Sequence, residues 1–316
     1  MGDSLGHPDD LEDIMRVTTD GERVAVLTLS SEIVRAAGAF LRGEGFLEIL
    51  PVLLSPITDP LHHETYAGNV DFYGAPFQLM KSMIFHKQIA LRAVPRIFCF
   101  SPNVRMEQPV RAALGRYLAE FVQLDLEVRD ASRNDVMALG EGLVLAVLEA
   151  VRERCPRELA RLGRNLRTPT APFSRIRYAD AVARFGEPFD DALSASIDAP
   201  TWVVDFPRRV REFYDREDPA RPDTLLDMDL IYPEGYGEAL SGGEREHELP
   251  RILDRLRRDG ISVDRVSAYL AYVEEGVPRS AGFGIGVERL TRYIAGLDRI
   301  EDARLFPKTP GDTRAI

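Results

Sequence analysis

Near the end of the chain, Gly282-Phe283-Gly284-Ile285-Gly286-Val287-Glu288-Arg289 sets a glycine at every second position of a strand-like run and follows it with an arginine. Alternate glycines strip one face of a strand of side chains, so main chain can approach a flat ligand. An arginine opening the next helix presents a planar, permanently charged fork that can stack or hold phosphate. The spacing is not that of a dinucleotide fingerprint: the third glycine comes one residue early, and the segment is not part of a first βαβ unit. Two more runs carry chemistry. In Val104-Arg105-Met106-Glu107 apolar and charged residues alternate, which predicts a strand with Arg105 and Glu107 on one face. From Glu120 to Val128, residues Val122, Leu124, Leu126 and Val128 point one way and Phe121, Gln123, Asp125 and Glu127 the other. An aromatic ring, an amide and two carboxylates on one face suit a binding floor better than a solvated surface. Leu226, Met228 and Leu230 alternate in the same manner with Asp227 and Asp229.

These runs need a scaffold, and the sequence supplies one. The 316 residues have ordinary globular composition, which implies one large domain. Residues 1–28 are polar and acidic and read as a tail; 29–316 read as the catalytic domain. Ser30 or Ser31 can cap a helix with Ile33, Val34, Ala37, Phe40 and Leu41 on one face, ended by Gly43 and Gly45. A short strand, Phe46 to Leu50, follows and stops at Pro51. Further helices are expected at 83–93, 133–154, 248–258, 264–274 and from Val287 to Ala295. Antiparallel strands among helices give an α+β fold.

Charge and cysteine usage narrow the function. Forty Lys plus Arg against 51 Asp plus Glu leave a net charge of -11, unsuited to following a phosphate backbone. The densest basic stretches, Arg208 to Arg211 and Arg255 to Arg258, read as solvated faces. Cys99 and Cys155 stand far apart, in no metal-ligand spacing, and fit a reducing compartment. No basic-then-apolar leader and no apolar run near ~20 residues is seen, so the expected location is cytoplasmic, without a membrane. His62, His63 and His86 read as structural or surface residues, and Trp202 as a buried packing residue.

Together, Gly282 to Arg289 and the continuation Leu305-Phe306-Pro307-Lys308-Thr309-Pro310-Gly311 resemble motif 3 and its sequel in the aspartyl/asparaginyl branch of class II aminoacyl-tRNA synthetases. Arg105-Met106-Glu107, a loop with Arg111 and Arg116, and Glu120 to Asp125 resemble motif 2. The helix from Ser31 and the strand ending at Pro51 resemble motif 1, the dimer-forming element, which implies a homodimer. The resemblance implies an antiparallel sheet flanked by helices, and ATP and Mg²⁺ as cofactors. It implies that Arg105 holds the α-phosphate, that Arg289 with Arg111 or Arg116 holds the distal phosphates, and that Phe121 stacks on adenine while Glu107 receives its amino group. Gly284 and Gly286 would form the nucleotide floor.

Asp229 and the run Gly235 to Arg245 resemble the segment in which an Asp and a Glu, here Asp229 and Glu238, bind magnesium and an arginine, here Arg245, grips the amino acid. Gln78 to Gln88 resembles the segment whose lysine, here Lys87, reads a side-chain carboxylate. In it Lys81 replaces Gln and stands beside Ser82, and Ser280 stands where a His commonly precedes motif 3. Asp59, Gln123 or Asp125 would complete the substrate site, Asp59 or Asp125 receiving the α-ammonium. With few residues ahead of motif 1 and no basic surface, tRNA is not an expected partner. The nearest resemblance, over residues 29 to 311, is to the archaeal-type asparagine synthetases related to asparaginyl-tRNA synthetase. These adenylate the β-carboxylate of aspartate and let ammonia displace AMP. Transfer to another amine, a carrier protein or tRNA is the alternative enzyme reading. A non-catalytic nucleotide-binding paralogue would have no need of a complete Arg105, Glu107, Glu238 and Arg289 set.

Overall fold

The computed structural model describes residues 21–313. In chain order the elements are helix α1 (Gly21–Gly43), strands β1 (Leu47–Glu48), β2 (Leu54–Ser55), β3 (Asn69–Phe72) and β4 (Ala75–Leu79), helix α2 (Ile84–Ala90), and strands β5 (Arg96–Val104) and β6 (Glu120–Arg129). Helices α3 (Arg133–Arg154) and α4 (Pro156–Arg161), strand β7 (Ser174–Arg177), helices α5 (Tyr178–Phe185) and α6 (Asp190–Ser196), and strands β8 (Thr201–Val204), β9 (Asp227–Tyr232) and β10 (Gly237–Arg245) follow. Helices α7 (Leu249–Asp259) and α8 (Ser267–Glu274), strand β11 (Ser280–Gly286) and helix α9 (Val287–Ala295) complete the order.

Among the described residues, eight strands form one sheet in the order β1-β5-β6-β11-β10-β9-β8-β7, and β2, β4 and β3 form a small second sheet. The large sheet is antiparallel at its centre and parallel only at the edge pairs β1/β5 and β7/β8. The α+β class is therefore right, with a mixed rather than purely antiparallel sheet. Its register sorts the chemistry. Gln123, Asp125 and Glu127 of β6 stand opposite Gly286, Gly284 and Gly282 of β11, and the next strand places Ser241, Gly243 and Arg245 opposite Gly284, Gly282 and Ser280. Paired residues share a face, so one face collects the polar groups and the glycines. The other face carries Leu124, Leu126, Phe283, Ile285, Met228 and Leu230, all buried in the main core.

Helices α1 and α3 cover that apolar face. Leu29, Ile33, Ala37 and Leu41 recur every four residues on α1 and are buried there, each leucine or isoleucine contributing about 1.5–3 kcal/mol. Among the described residues the helix is already formed at Gly21, ahead of the serine caps predicted, because Ala25, Val26 and Leu29 extend the same apolar stripe. The remaining tail residues, 1–20, lie outside the described residues. By length and composition α1 could cross a membrane, contrary to the sequence reading, but its apolar stripe is part of the core. Helix α3 starts at a capping box: the Ser132 hydroxyl accepts from the Asp135 amide, and the Asp135 carboxylate accepts from Ser132. Trp202 packs in the core as expected, its Nε1 donating to Glu141 Oε1 at 2.9 Å.

Candidate active site

Two adjoining cavities open on the polar face of the sheet. The first, about 220 Å³, is walled by Arg105, Glu107, Phe121 and Arg289, with Arg111 and Arg116 on its loop side and Gly284 and Gly286 in its floor. Every residue assigned to ATP from the sequence lies here. Strand β5 ends at Val104, so the predicted strand through Glu107 does not form. The chain instead bends where the Arg105 amide donates to Ala119 and the Glu107 amide to Arg105. That bend turns both side chains into the cavity. Arg105 is steadied by its Nε, which donates to the Lys81 carbonyl at 3.0 Å, and its guanidinium lies 5.2 Å from the centre of the Phe121 ring. Glu107 is buried and meets His63 Nε2 at 2.9 Å and Arg111 at 3.5 Å. Burial pushes its carboxyl up, but His63, Arg111 and Arg105 outweigh burial and hold it below the usual range. His63, read from the sequence as structural or surface, is thus part of the cavity wall. Arg111 and Arg116 both stack near Tyr117, and Arg116 also pairs with Asp191.

The second cavity, about 210 Å³, shares His63, Arg105, Gln123, Glu238 and Gly284 with the first. Lys87 of α2 enters it fully buried, donating to Asp125 Oδ1 at 2.7 Å and standing 3.5 Å from Glu127. Arg245 at the end of β10 donates to Glu127 Oε1 at 3.2 Å, Asp215 Oδ1 at 2.8 Å and the Gly282 carbonyl at 2.9 Å. The two cations therefore meet on one carboxylate, Glu127, and fix each other's position. Asp59 and Ser82 line the same space, and the Tyr214 hydroxyl donates to Asp59 Oδ2 at 2.9 Å. Gln123 accepts from the Asn103 amide at 2.9 Å, which orients it above Gly284.

Two assigned substrate residues stand behind the wall. Ser280 is buried and donates to Glu127 Oε1 at 3.0 Å, so it acts on the pocket only through that carboxylate. Lys81 offers its backbone carbonyl to Arg105 and lines neither cavity, and burial lowers its pKa. The basic stretches read as solvated faces also need correction. Arg211 reaches into the site, 2.9 Å from Asp227 and 2.6 Å from Asp229, and Arg255 is buried against Asp259 and three carbonyls. Asp227 is an inward carboxylate, pushed up to about 7 by burial despite Arg211.

Glu238 lines both cavities and accepts from Arg289 at 2.9 Å. Burial pushes its carboxyl up, but Arg289, Arg211 and Arg105 outweigh it. Asp190, at the start of α6, was not legible from the sequence. It is pushed up to about 6 by burial and by the nearby charges of Glu238 and Asp229. Asp229 keeps one buried oxygen, Oδ1, without a hydrogen-bond partner. Converging carboxylates with an orphaned oxygen are a donor set of the kind that a hard divalent cation takes, although no closed cluster of three or more ligands is present among the described residues.

A mixed sheet with a glycine-floored cavity of arginines, carboxylates and an aromatic ring, running into a second cavity of buried paired charges, fits the catalytic core of an ATP-dependent ligase. The chain belongs to the family of class II tRNA synthetases (D, K and N), whose model matches residues 12–310. It is 30% identical to an asparagine–tRNA ligase of Symbiobacterium thermophilum over 90% of this chain and 70% of the ligase, and 29% identical to that of Streptococcus mutans over 91% and 68%. The asparaginyl-tRNA synthetase of Pyrococcus horikoshii complexed with asparaginyl-adenylate superposes with a TM-score of 0.88 at 25% identity, covering 98% of this chain and 74% of that one.

Proposed function

We propose that the protein adenylates the side-chain carboxylate of L-aspartate with ATP and transfers the acyl group to ammonia, giving asparagine, AMP and pyrophosphate. The observation that carries this reading is the pair Lys87 and Arg245, buried side by side in the cavity that shares Arg105 with the nucleotide site. A substrate with a carboxylate to be held and a second to be activated suits such a pocket. Asp59 or Asp125 receives the α-ammonium, and Ser82 and Gln123 border it.

In this reading a carboxylate oxygen attacks the α-phosphorus beside Arg105 while the bond to the β-phosphate breaks, and pyrophosphate leaves toward Arg289, Arg111 and Arg116. Phe121 and Glu107 hold the adenine over Gly284 and Gly286. Preorganised cations at the site of developing charge are what nucleotidyl transfer needs from a protein. Asp229 and Glu238 would hold Mg²⁺, which when bound neutralises phosphate charge. Ammonia nitrogen then attacks the acyl carbon and the carbon–oxygen bond to AMP breaks. Motif 1 supports a homodimer and the composition a cytoplasmic setting.

A second reading is favoured by the relatives, which are asparagine–tRNA ligases: the protein would then adenylate L-asparagine, or another amino acid, and pass the acyl group to tRNA, a carrier protein or another amine. The deciding experiment measures AMP and pyrophosphate with Mg²⁺-ATP and L-aspartate, with and without ammonium, beside L-asparagine with tRNA. Ammonium-dependent AMP and asparagine support the ligase. Exchange of pyrophosphate with L-asparagine alone overturns it.

A further inference from the structure

A further cavity, about 450 Å³, abuts the amino-acid cavity, and Leu61, Arg211 and Glu212 line both. Its outer wall carries three other arginines, and each already has a carboxylate: Arg208 with Asp223 at 2.8 Å, Arg258 with Glu217 at 2.8 Å, Arg209 with Glu187 at 3.7 Å. Arg211 is committed to Asp227 and Asp229, and the wall's other acid, Asp259, to Arg208 and Arg255. Glu212 stands apart. It accepts one hydrogen bond, from the His62 amide at 3.1 Å, and makes no ion pair with a described residue. On the inner side Asp59 makes no ion pair with a described residue either, and accepts from the Leu61 amide and the Tyr214 hydroxyl. Asp125, also on the inner wall, is by contrast neutralised by Lys87 at 2.7 Å. With Asp59 or Asp125 taking the α-ammonium of the acid, Glu212 is the carboxylate at the neck left without an ion pair among the described residues, and an uncompensated carboxylate withdrawn from bulk water calls for a cation.

We propose that the outer cavity is the path by which the amine acceptor reaches the acyl-adenylate, and that Glu212 at its neck holds the amine as an ammonium ion. This rests on the amide-forming reading above. With ATP and the acid filling the two joined cavities, the neck is the side of the pocket left for a third reactant. The bound ammonium gives one proton to the Glu212 carboxylate, which burial and the charges of Asp59 and Asp215 push up to about 7, where exchange at neutral pH is easy. The freed lone pair attacks the acyl carbon, a carbon–nitrogen bond forms, AMP leaves with the electrons of the broken carbon–oxygen bond, and the second proton goes to water.

The test uses methylammonium as probe, its methyl signal followed by NMR line broadening on the full-length protein. The wild type is compared with Glu212→Gln, which removes the charge, and with Arg209→Trp, which obstructs the outer cavity from a largely exposed position. In parallel the KM for ammonium in asparagine formation is measured against aspartate-dependent pyrophosphate exchange by the same variant. Weaker broadening and an ammonium KM raised ten-fold or more relative to exchange, in both variants, support the path. Unchanged broadening and KM in both overturn it. Wild type without aspartate-dependent exchange, but with broadening lost in both variants, sinks the aspartate reading and leaves the path standing. Intact exchange with unaltered broadening sinks the path alone.

Discussion

The guanidinium of Arg105 lies over the ring of Phe121 at 5.2 Å, so the proposed α-phosphate ligand and the proposed adenine platform form one stacked unit. Phe121→Ala removes the platform and also frees Arg105 to swing. Base stacking on an aromatic ring is worth roughly 1–3 kcal/mol. The KM for ATP in pyrophosphate exchange should rise about ten-fold or more, and Phe121→Tyr should restore it. An unchanged KM in the alanine variant refutes the assignment.

Lys87 and Lys81 lie on the same segment but differ in how they are held. Lys87→Met strands Asp125 and part of Glu127 in the interior without their ammonium, a loss of about 3–5 kcal/mol for a buried pair broken on one side. Lys81 makes no ion pair among the described residues, and burial already disfavours its charge. Urea denaturation should find Lys87→Met strongly destabilised and Lys81→Met within about 1 kcal/mol of wild type. Equal shifts would mean that the Lys87 cluster does not stabilise the fold.

Two glycines of β11 should tolerate alanine differently. A Cβ at Gly282 runs into the Leu126 carbonyl and the Glu127 carboxylate, main chain and a pinned side chain that cannot retreat. The atoms nearest a Cβ at Gly284 belong to the Gln123 side chain, whose amide end can turn. Overpacking of the first kind costs about 1–3 kcal/mol. Thermal unfolding should register a drop for Gly282→Ala, whereas Gly284→Ala should stay folded and lose exchange activity through the displaced Gln123.

Both thiols are buried, and burial pushes Cys99 up to about 12 and Cys155 also upward. A thiol reacts as its thiolate, so neither should react quickly with a disulfide reagent in the native protein at pH 8. Both should react in denaturant. Fast native labelling at either position would contradict the packing described.

Chelation of divalent cations should abolish pyrophosphate exchange. Glu238→Gln, which removes the carboxylate common to both cavities, should lower exchange by about 100-fold, as loss of one charge-stabilising group does elsewhere. Added Mg²⁺ should restore chelated wild type but leave the variant low. Exchange that persists in excess chelator would remove the metal from the reading.

What was readable from the sequence was local. The alternation in β6 fixed the floor, and the glycine run with Arg289 fixed the strand and helix beside it, because side-chain period and glycine placement are properties of a few neighbouring residues. Arg105 and Glu107 do face one cavity, but not as strand neighbours: β5 stops at Val104, and a bend aims them. Arg211, Glu212, His63 and Asp190 reach the site from loops and a helix start far along the chain, where only tertiary folding reveals which way a side chain turns. Asp227 pairing with Arg211 from 16 positions earlier had no periodic signature to find.

Strand β11 lies between β6 and β10, and Gly282, Gly284 and Gly286 alternate along its seven residues on the polar face. Gly284 lines both cavities and Gly286 the first, so at these positions β11 presents bare main chain, and any side chain added there intrudes on the site. Divergence of such a pocket toward new substrates is confined to its walls, and a lineage that changes its acid or its amine must do so at positions such as Lys87, Glu212 and Arg245 while inheriting the same floor.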